Sequence, residues 1–257
     1  LIHLDNIQWA LALLAALIAG FSKTGMPGIG ILVVPLMANV FPGRLSVGAT
    51  LPILITADIC AVSTYHKDVD WSKLKSLAPF VVAGLLAGTF FLAELPRPKG
   101  GHDPLNPIIG VLVLLMLALQ LMRKKLGDRM LPTSKTGTGL TGIAAGFSTM
   151  ASNAAGPIMS IYMTATGLPK HKFISTTAWY FFIFNLSKVP LQILLNHLRP
   201  SDPMFSDQSM LLALFVAPVV VIGALSGRAL LHRIPEKIFT DAVLILAAVG
   251  AIKLALT

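Results

Sequence analysis

Two lysines carry the chemistry of this sequence. Lys23 lies in GFSKTGMPG (20–28) and Lys188 in FNLSKVP (184–190), both inside strongly apolar surroundings. A charge at the centre of a bilayer costs about 2.5–3.5 kcal/mol by insertion scales, so such a residue is kept for a partner or a function. Neutral donors cluster with them. Ser22, Thr24 and Gly25 flank Lys23, and a second glycine-containing stretch, GFSTMASNAAGP (146–157), brings Ser148, Thr149, Ser152 and Asn153. Asn185 stands just before Lys188. Cations surrounded by hydroxyl, amide and backbone N–H donors form a site for a small anion. Asp58 is the one acid near the centre of an apolar run, a candidate proton carrier or counter-ion.

Each of these residues also has a plainer reading. Lys23 could snorkel to an interface from an exposed turn. Lys188 and Asp58 could form a structural ion pair, and Asn185 could bond between helices. Ser148 to Ser152 could be small-residue packing. The catalytic alternatives are poorer. All six histidines (His3, His66, His102, His171, His197, His232) fall in loops or at segment ends, so no Ser–His arrangement forms within an apolar run. A second mid-helix acid for a dyad, a metal-ligand spacing and a nucleotide-binding Walker sequence are all missing. We therefore expect no enzyme, no catalytic residues, no metal and no cofactor.

Composition sets the solvent. Of 257 residues 55% are hydrophobic and 12% charged, with mean hydropathy +0.78, far too apolar for a water-exposed surface. The chain is a polytopic helical membrane protein, partnered by a lipid bilayer. Its net charge of +9 does not point to nucleic acid, because the basic residues sit in short loops between apolar runs. One cysteine, Cys60, excludes an internal disulfide framework. Trp9–Gly20 lacks a basic n-region and a convincing cleavage site, so it does not read as a signal peptide.

Ten segments follow from the apolar periodicity: Ile7–Gly20, Gly28–Val40, Ser46–Tyr65, Leu74–Leu95, Pro107–Met122, Gly137–Met150, Ala154–Gly167, Phe173–Asn196, Ser209–His232 and Lys237–Leu256. The first, second, sixth and seventh are shorter than a membrane span, and the fifth is marginal. The short ones form two pairs, each hinged on a polar, glycine-containing stretch. The sequence also repeats itself. AGFS occurs at 19–22 and 145–148; Pro79, Gly84, Gly88 and Pro96 are spaced like Pro218, Gly223, Gly227 and Pro235; Pro42 with Asp58 is spaced like Pro169 with Asn185. The expected organisation is one membrane domain: repeat 1–122, a basic linker 123–136, and repeat 137–257.

The fold class is all-α, with two inverted-topology repeats of about five helical segments, each opening with a broken or re-entrant pair. Three full crossings per half turn the second half over. Arg123, Lys124, Lys125, Arg129 and Lys135 put the linker in the cytoplasm by the positive-inside rule. Lys67, Lys73, Lys75, Lys170, Lys172, Arg228, Arg233 and Lys237 join it there. The far side takes only Arg44, Arg97, Lys99, Arg199 and Lys253, and both termini. Helix breaks inside a bilayer survive where protein or a cavity satisfies the freed backbone. Two breaks entering from opposite faces and meeting near mid-depth are the pattern of secondary transporters.

Three stretches resemble the TauE/SafE family of sulfite exporters. AGFSKTGMPGIGILVVPLMA (19–38) is similar to its first glycine-rich segment, although Met26, Pro27 and Ile29 here interrupt the glycines. YHKDVDW (65–71) is similar to its basic loop, and NLSKVPLQILL (185–195) to its late Asn…Lys-Pro helix. The resemblance implies a prokaryotic cytoplasmic-membrane exporter of sulfite or a small organosulfur anion such as sulfoacetate. An anion channel and a non-transporting membrane scaffold are the alternatives. The oligomeric state is left open, a homodimer included.

Overall fold

The computed structural model describes residues 4–26, 28–98, 100, 103–126, 134–230 and 236–256. The expectations for His3, Pro27, Lys99, His102, Arg129, His232, Arg233 and most of the linker 123–136 lie outside them, as do the side chains of Arg123, Lys124, Lys125 and Lys237. Ten α-helices follow in order: α1 (Asn6–Thr24), α2 (Val33–Val40), α3 (Gly43–Thr64), α4 (Trp71–Glu94), α5 (Leu105–Leu126), α6 (Lys135–Ser152), α7 (Gly156–Ala165), α8 (Lys170–Leu198), α9 (Asp207–Leu230) and α10 (Glu236–Ala255). A 3-10 turn, Ile29–Leu32, precedes α2, and no strand occurs among the described residues.

Every expected segment is a helix, but two boundaries change what they mean. The first helix does not stop at Gly20. The Ser22 hydroxyl donates to the Ala19 carbonyl (2.9 Å) and Thr24 to that of Gly20 (3.4 Å), so the small polar residues ride along the helix and α1 continues past Lys23. The fifth starts earlier than expected, because the Asp103 carboxylate accepts from the Leu105 N–H (2.9 Å). Both α1 and α5 now qualify as spans. By length and composition α1, α3, α4, α5, α8 and α9 are apolar and long enough to cross a membrane. Their outward residues include Phe80, Leu86 and Phe90 on α4 and Leu214, Phe215 and Ile222 on α9, a surface fit for acyl chains.

Glycines decide how the helices meet. A Cβ at Gly20 of α1 would collide with the Val220 carbonyl of α9, and one at Gly223 with the Leu17 carbonyl. The same contacts recur elsewhere: Gly146 of α6 meets the Val81 carbonyl of α4, and Gly84 meets that of Ile143. Helices therefore approach backbone to backbone, the route to tight packing where lipid offers no hydrophobic drive. Residue numbers rise together in both pairs, so α1 is parallel to α9 and α6 to α4.

Contacts at the helix ends fix the course of the two broken pairs. Gln8 of α1 donates its Nε2–H to the Val40 carbonyl of α2 (3.3 Å), so the first pair returns to the end where it began. The ends of α3, α4 and α8 gather there as well. Arg44 Nε lies 3.2 Å from Asp202, and Arg199 donates to the carbonyls of Leu95 and Ala93. At the opposite end Trp71 packs on Trp179 and the Asp70 N–H donates to Thr176 (2.9 Å). There α6 starts beside Leu77 and Phe80, and α7 leads into α8.

This packing predicts that Gly84→Val forces α4 and α6 apart and destabilises the protein by about 1–3 kcal/mol, the usual cost of overpacking. Gly156→Ala, where a Cβ meets nothing within 4 Å, leaves stability unchanged. Thermal unfolding in detergent compares the two.

Candidate functional site

The helix breaks are local chemistry. α1 ends at Gly25, whose N–H still donates to the Phe21 carbonyl (2.8 Å), and Gly28 then takes φ 104°, a conformation that a side chain would strain. In the second pair Asn153 ends α6 in the left-handed region (φ 59°), where asparagine is among the few residues tolerated, and Pro157 sits in the first turn of α7. Neither second arm has a side-chain cap at its start. Both arms therefore open with unpaired N–H groups and the positive end of a helix dipole.

Both breaks face one cavity of about 90 Å³. Gly28, Gly30 and Ile31 line it from the first pair, and Asn153, Ala154 and Gly156 from the second. Ser22, Lys23, Thr149 and Asn185 reach it too, with Phe181 and Thr177 from α8. Gly30 matters by what it lacks, since a Cβ there would stand 2.9 Å from the Ser22 hydroxyl. The Thr177 hydroxyl is buried in the wall without a hydrogen-bond partner.

Behind this wall the charges are tied together. Lys23 Nζ lies 2.8 Å from Asp58 Oδ1 and 3.6 Å from the centroid of the Phe181 ring. The Asn185 amide donates to the other Asp58 oxygen (2.6 Å). Asp58 is fully buried, whereas the Lys23 side chain keeps 13% exposure on the cavity side. Lys188, also fully buried, donates to the Asn153 side-chain oxygen (2.6 Å) and to the Thr149 carbonyl and hydroxyl (3.2 Å each). Three acceptors around one nitrogen suit the three N–H bonds of an ammonium. The Asn153 amide meanwhile donates to the Val47 carbonyl of α3 (2.9 Å).

Of the residues the sequence singles out, Ser22, Lys23, Thr149, Asn153 and Asn185 meet at the cavity, with Asp58 and Lys188 one layer back. The other four are placed differently. Thr24 turns to the Ala224 carbonyl of α9 (2.6 Å), and its own carbonyl accepts from the Tyr65 hydroxyl (2.7 Å). Gly25 presses on the Gly227 carbonyl. Ser152 bonds back to the Ser148 carbonyl (3.0 Å), and the Ser148 hydroxyl is buried without a partner. Thr24 and Gly25 face α9, Ser148 and Ser152 are buried along α6, and none of the four lines the cavity. Asp58 pairs with Lys23 and not directly with Lys188, and Lys23 sits inside the bundle rather than on an exposed turn. Sequence reasoning passed over Phe181 and Thr177. Their spacing to Asn185 and Lys188 is helical, so a single stripe along α8 carried the signal.

The sequence profile of the family described as Sulfite exporter TauE/SafE matches residues 12–254. No curated protein and no solved structure matches the chain. The chain belongs to the sulfite exporter TauE/SafE family, a family of membrane transporters, and is a multi-pass membrane protein.

The buried pair yields a stability prediction. Lys23→Met leaves the Asp58 carboxylate uncompensated and lowers stability by about 3–5 kcal/mol, and adding Asp58→Asn recovers most of that loss. Thermal unfolding of the purified single and double variants measures it. A double variant no better than the single would mean that the two side chains do not depend on each other.

Proposed function

We propose that this member of the sulfite exporter TauE/SafE family carries sulfite or a small organosulfonate out of a prokaryotic cell by alternating access. One observation carries the reading: a single cavity receives both helix breaks and, among the described residues, has Lys23 as its only charged lining residue. The oxyanion sits there with Lys23 on one side and the start of α7 on the other. Thr149, Thr177 and Asn185 donate from the walls, and Ser22, its hydroxyl bonded to the Ala19 carbonyl, shapes the wall beside Lys23. Lys188 acts through Asn153, holding the amide so that its remaining polar surface faces the cavity. Thr24, Gly25, Ser148 and Ser152 support the site by packing the first arm of each pair.

The two halves are read as repeats 1–122 and 137–257 of inverted topology. Support comes from the matching glycine contacts and from α1 and α6 leaving opposite ends of the bundle. The end holding Lys67, Lys73, Lys75, Lys170, Lys172 and Arg228 is assigned to the cytoplasm together with the linker, and the termini to the far side. Rocking of one half against the other then opens the cavity to each face in turn. Export of a monoanion from a cell with negative interior releases about 2.3 kcal/mol per 100 mV, so the cycle needs no coupling ion.

In proteoliposomes, labelled sulfite is expected to show saturable counterflow. Lys23→Gln, which keeps a polar partner for Asp58, lowers it about tenfold or more by removing the charge beside the anion. Conductance without counterflow would point instead to a channel, and unchanged flux in folded Lys23→Gln to a site elsewhere.

A further inference from the structure

The buried charges can be counted. Lys23 and Asp58 form an ion pair at 2.8 Å, and Lys188 is held by neutral acceptors alone, the carbonyl and hydroxyl of Thr149 and the amide oxygen of Asn153. No other ionisable side chain among the described residues lines the cavity. With both lysines protonated and Asp58 ionised, these three side chains together carry one net positive charge. Resting on the transport reading above, we infer that the cavity selects singly charged oxyanions, hydrogen sulfite or a sulfonate, over dianions such as sulfite itself or sulfate, and that Asp58 sets this selectivity.

The physical reason is the dielectric. A monoanion brings the cluster to neutrality, whereas a dianion leaves one negative charge uncompensated in an apolar bundle, where desolvation is costly and water cannot answer it. Asp58 cancels one of the two lysines without touching the cavity. It is a specificity-determining residue that acts through Lys23. Removing its charge while keeping its shape, as in Asp58→Asn, leaves two cations and makes the site fit a dianion. Lys23→Met with Asp58→Asn returns the count to a single positive charge, that of Lys188.

Three probes separate charge from shape: methanesulfonate, a monoanion throughout the accessible pH range; sulfate, a dianion throughout; and sulfite, which passes from one form to the other near neutrality. In proteoliposomes the wild type is expected to carry methanesulfonate equally on both sides of neutrality, to carry sulfite faster on the acid side, and to reject sulfate. Asp58→Asn raises the flux of sulfate relative to methanesulfonate by about tenfold or more. The Lys23→Met/Asp58→Asn variant keeps the wild-type ratio even as its total flux falls, and its elution as a single folded species checks that the change in ratio is not a folding effect. Wild-type flux of sulfate equal to that of methanesulfonate, or sulfite flux that rises on the alkaline side, overturns the inference and leaves transport intact. A wild type that neither carries any of the three nor is thermally stabilised by them overturns the transport reading, and this inference with it.

Discussion

An ammonium group cannot stand alone in hydrocarbon, and the structure is arranged around that constraint. Lys23 is answered by Asp58, Asp58 by Asn185, and Lys188 by Asn153 and Thr149. These contacts join α1, α3, α6 and α8, elements far apart in sequence, at one depth of the bundle. Withdrawing any one acceptor leaves a buried donor or charge without a partner, a far larger loss than the net worth of one such bond. The polar cluster thus fixes which helices meet and in what register, while the apolar faces around it tolerate many arrangements.

Close backbone approach makes that cluster reachable. α1 and α6 reach the middle of the bundle only because Gly20 and Gly146 let them lie against α9 and α4. A larger residue at either position would lift the arm away and carry Lys23 or Thr149 with it. The hydroxyls of Thr24 and Ser152 reinforce the same arrangement: the first ties the tip of α1 to α9, and the second bonds back along α6 as a small residue in a tight interface. Packing and site are therefore one problem here. Thr24 and Gly25, singled out in the sequence beside Lys23, contact α9 and not the cavity.

The fold was largely legible because a membrane limits the choices. Backbone polar groups must be satisfied within each helix, so apolar runs give helices and glycine-rich interruptions give breaks. Legibility failed where a side chain's partner decides the outcome. Ser22 and Thr24 read as a polar tip, yet their hydroxyls bond back to carbonyls of their own helix, which runs on through Lys23 to Thr24. The partner of Asp58 could not be chosen from sequence, since neither Lys23 nor Lys188 is its neighbour on a helix and only the packing of α1 against α3 brings the first within reach. Phe181 was hidden for another reason. An aromatic residue among many in WYFFIFN carries no mark of the cation above it, and only its helical spacing from Asn185 and Lys188 sets it apart.

The two proposed repeats match in their glycine contacts but not in their charges. Asp58 and Asn185 occupy matching places in the sequence repeat, and they bond directly to each other across the middle of the bundle. Lys23 and Thr149 match in the same way, each one residue past the AGFS motif, and both face the cavity. One half thus contributes a lysine and a carboxylate, the other a threonine and an amide at the same places. Lys188, on the second half's long helix, then adds a cation without a carboxylate of its own. Matching halves of inverted topology, as proposed, would present similar cavities to the two ends, which the proposed rocking requires. In the proposed rocking cycle the unequal side chains give that cavity the same sign of charge in every orientation, so an anion would meet the same attraction whichever end is open.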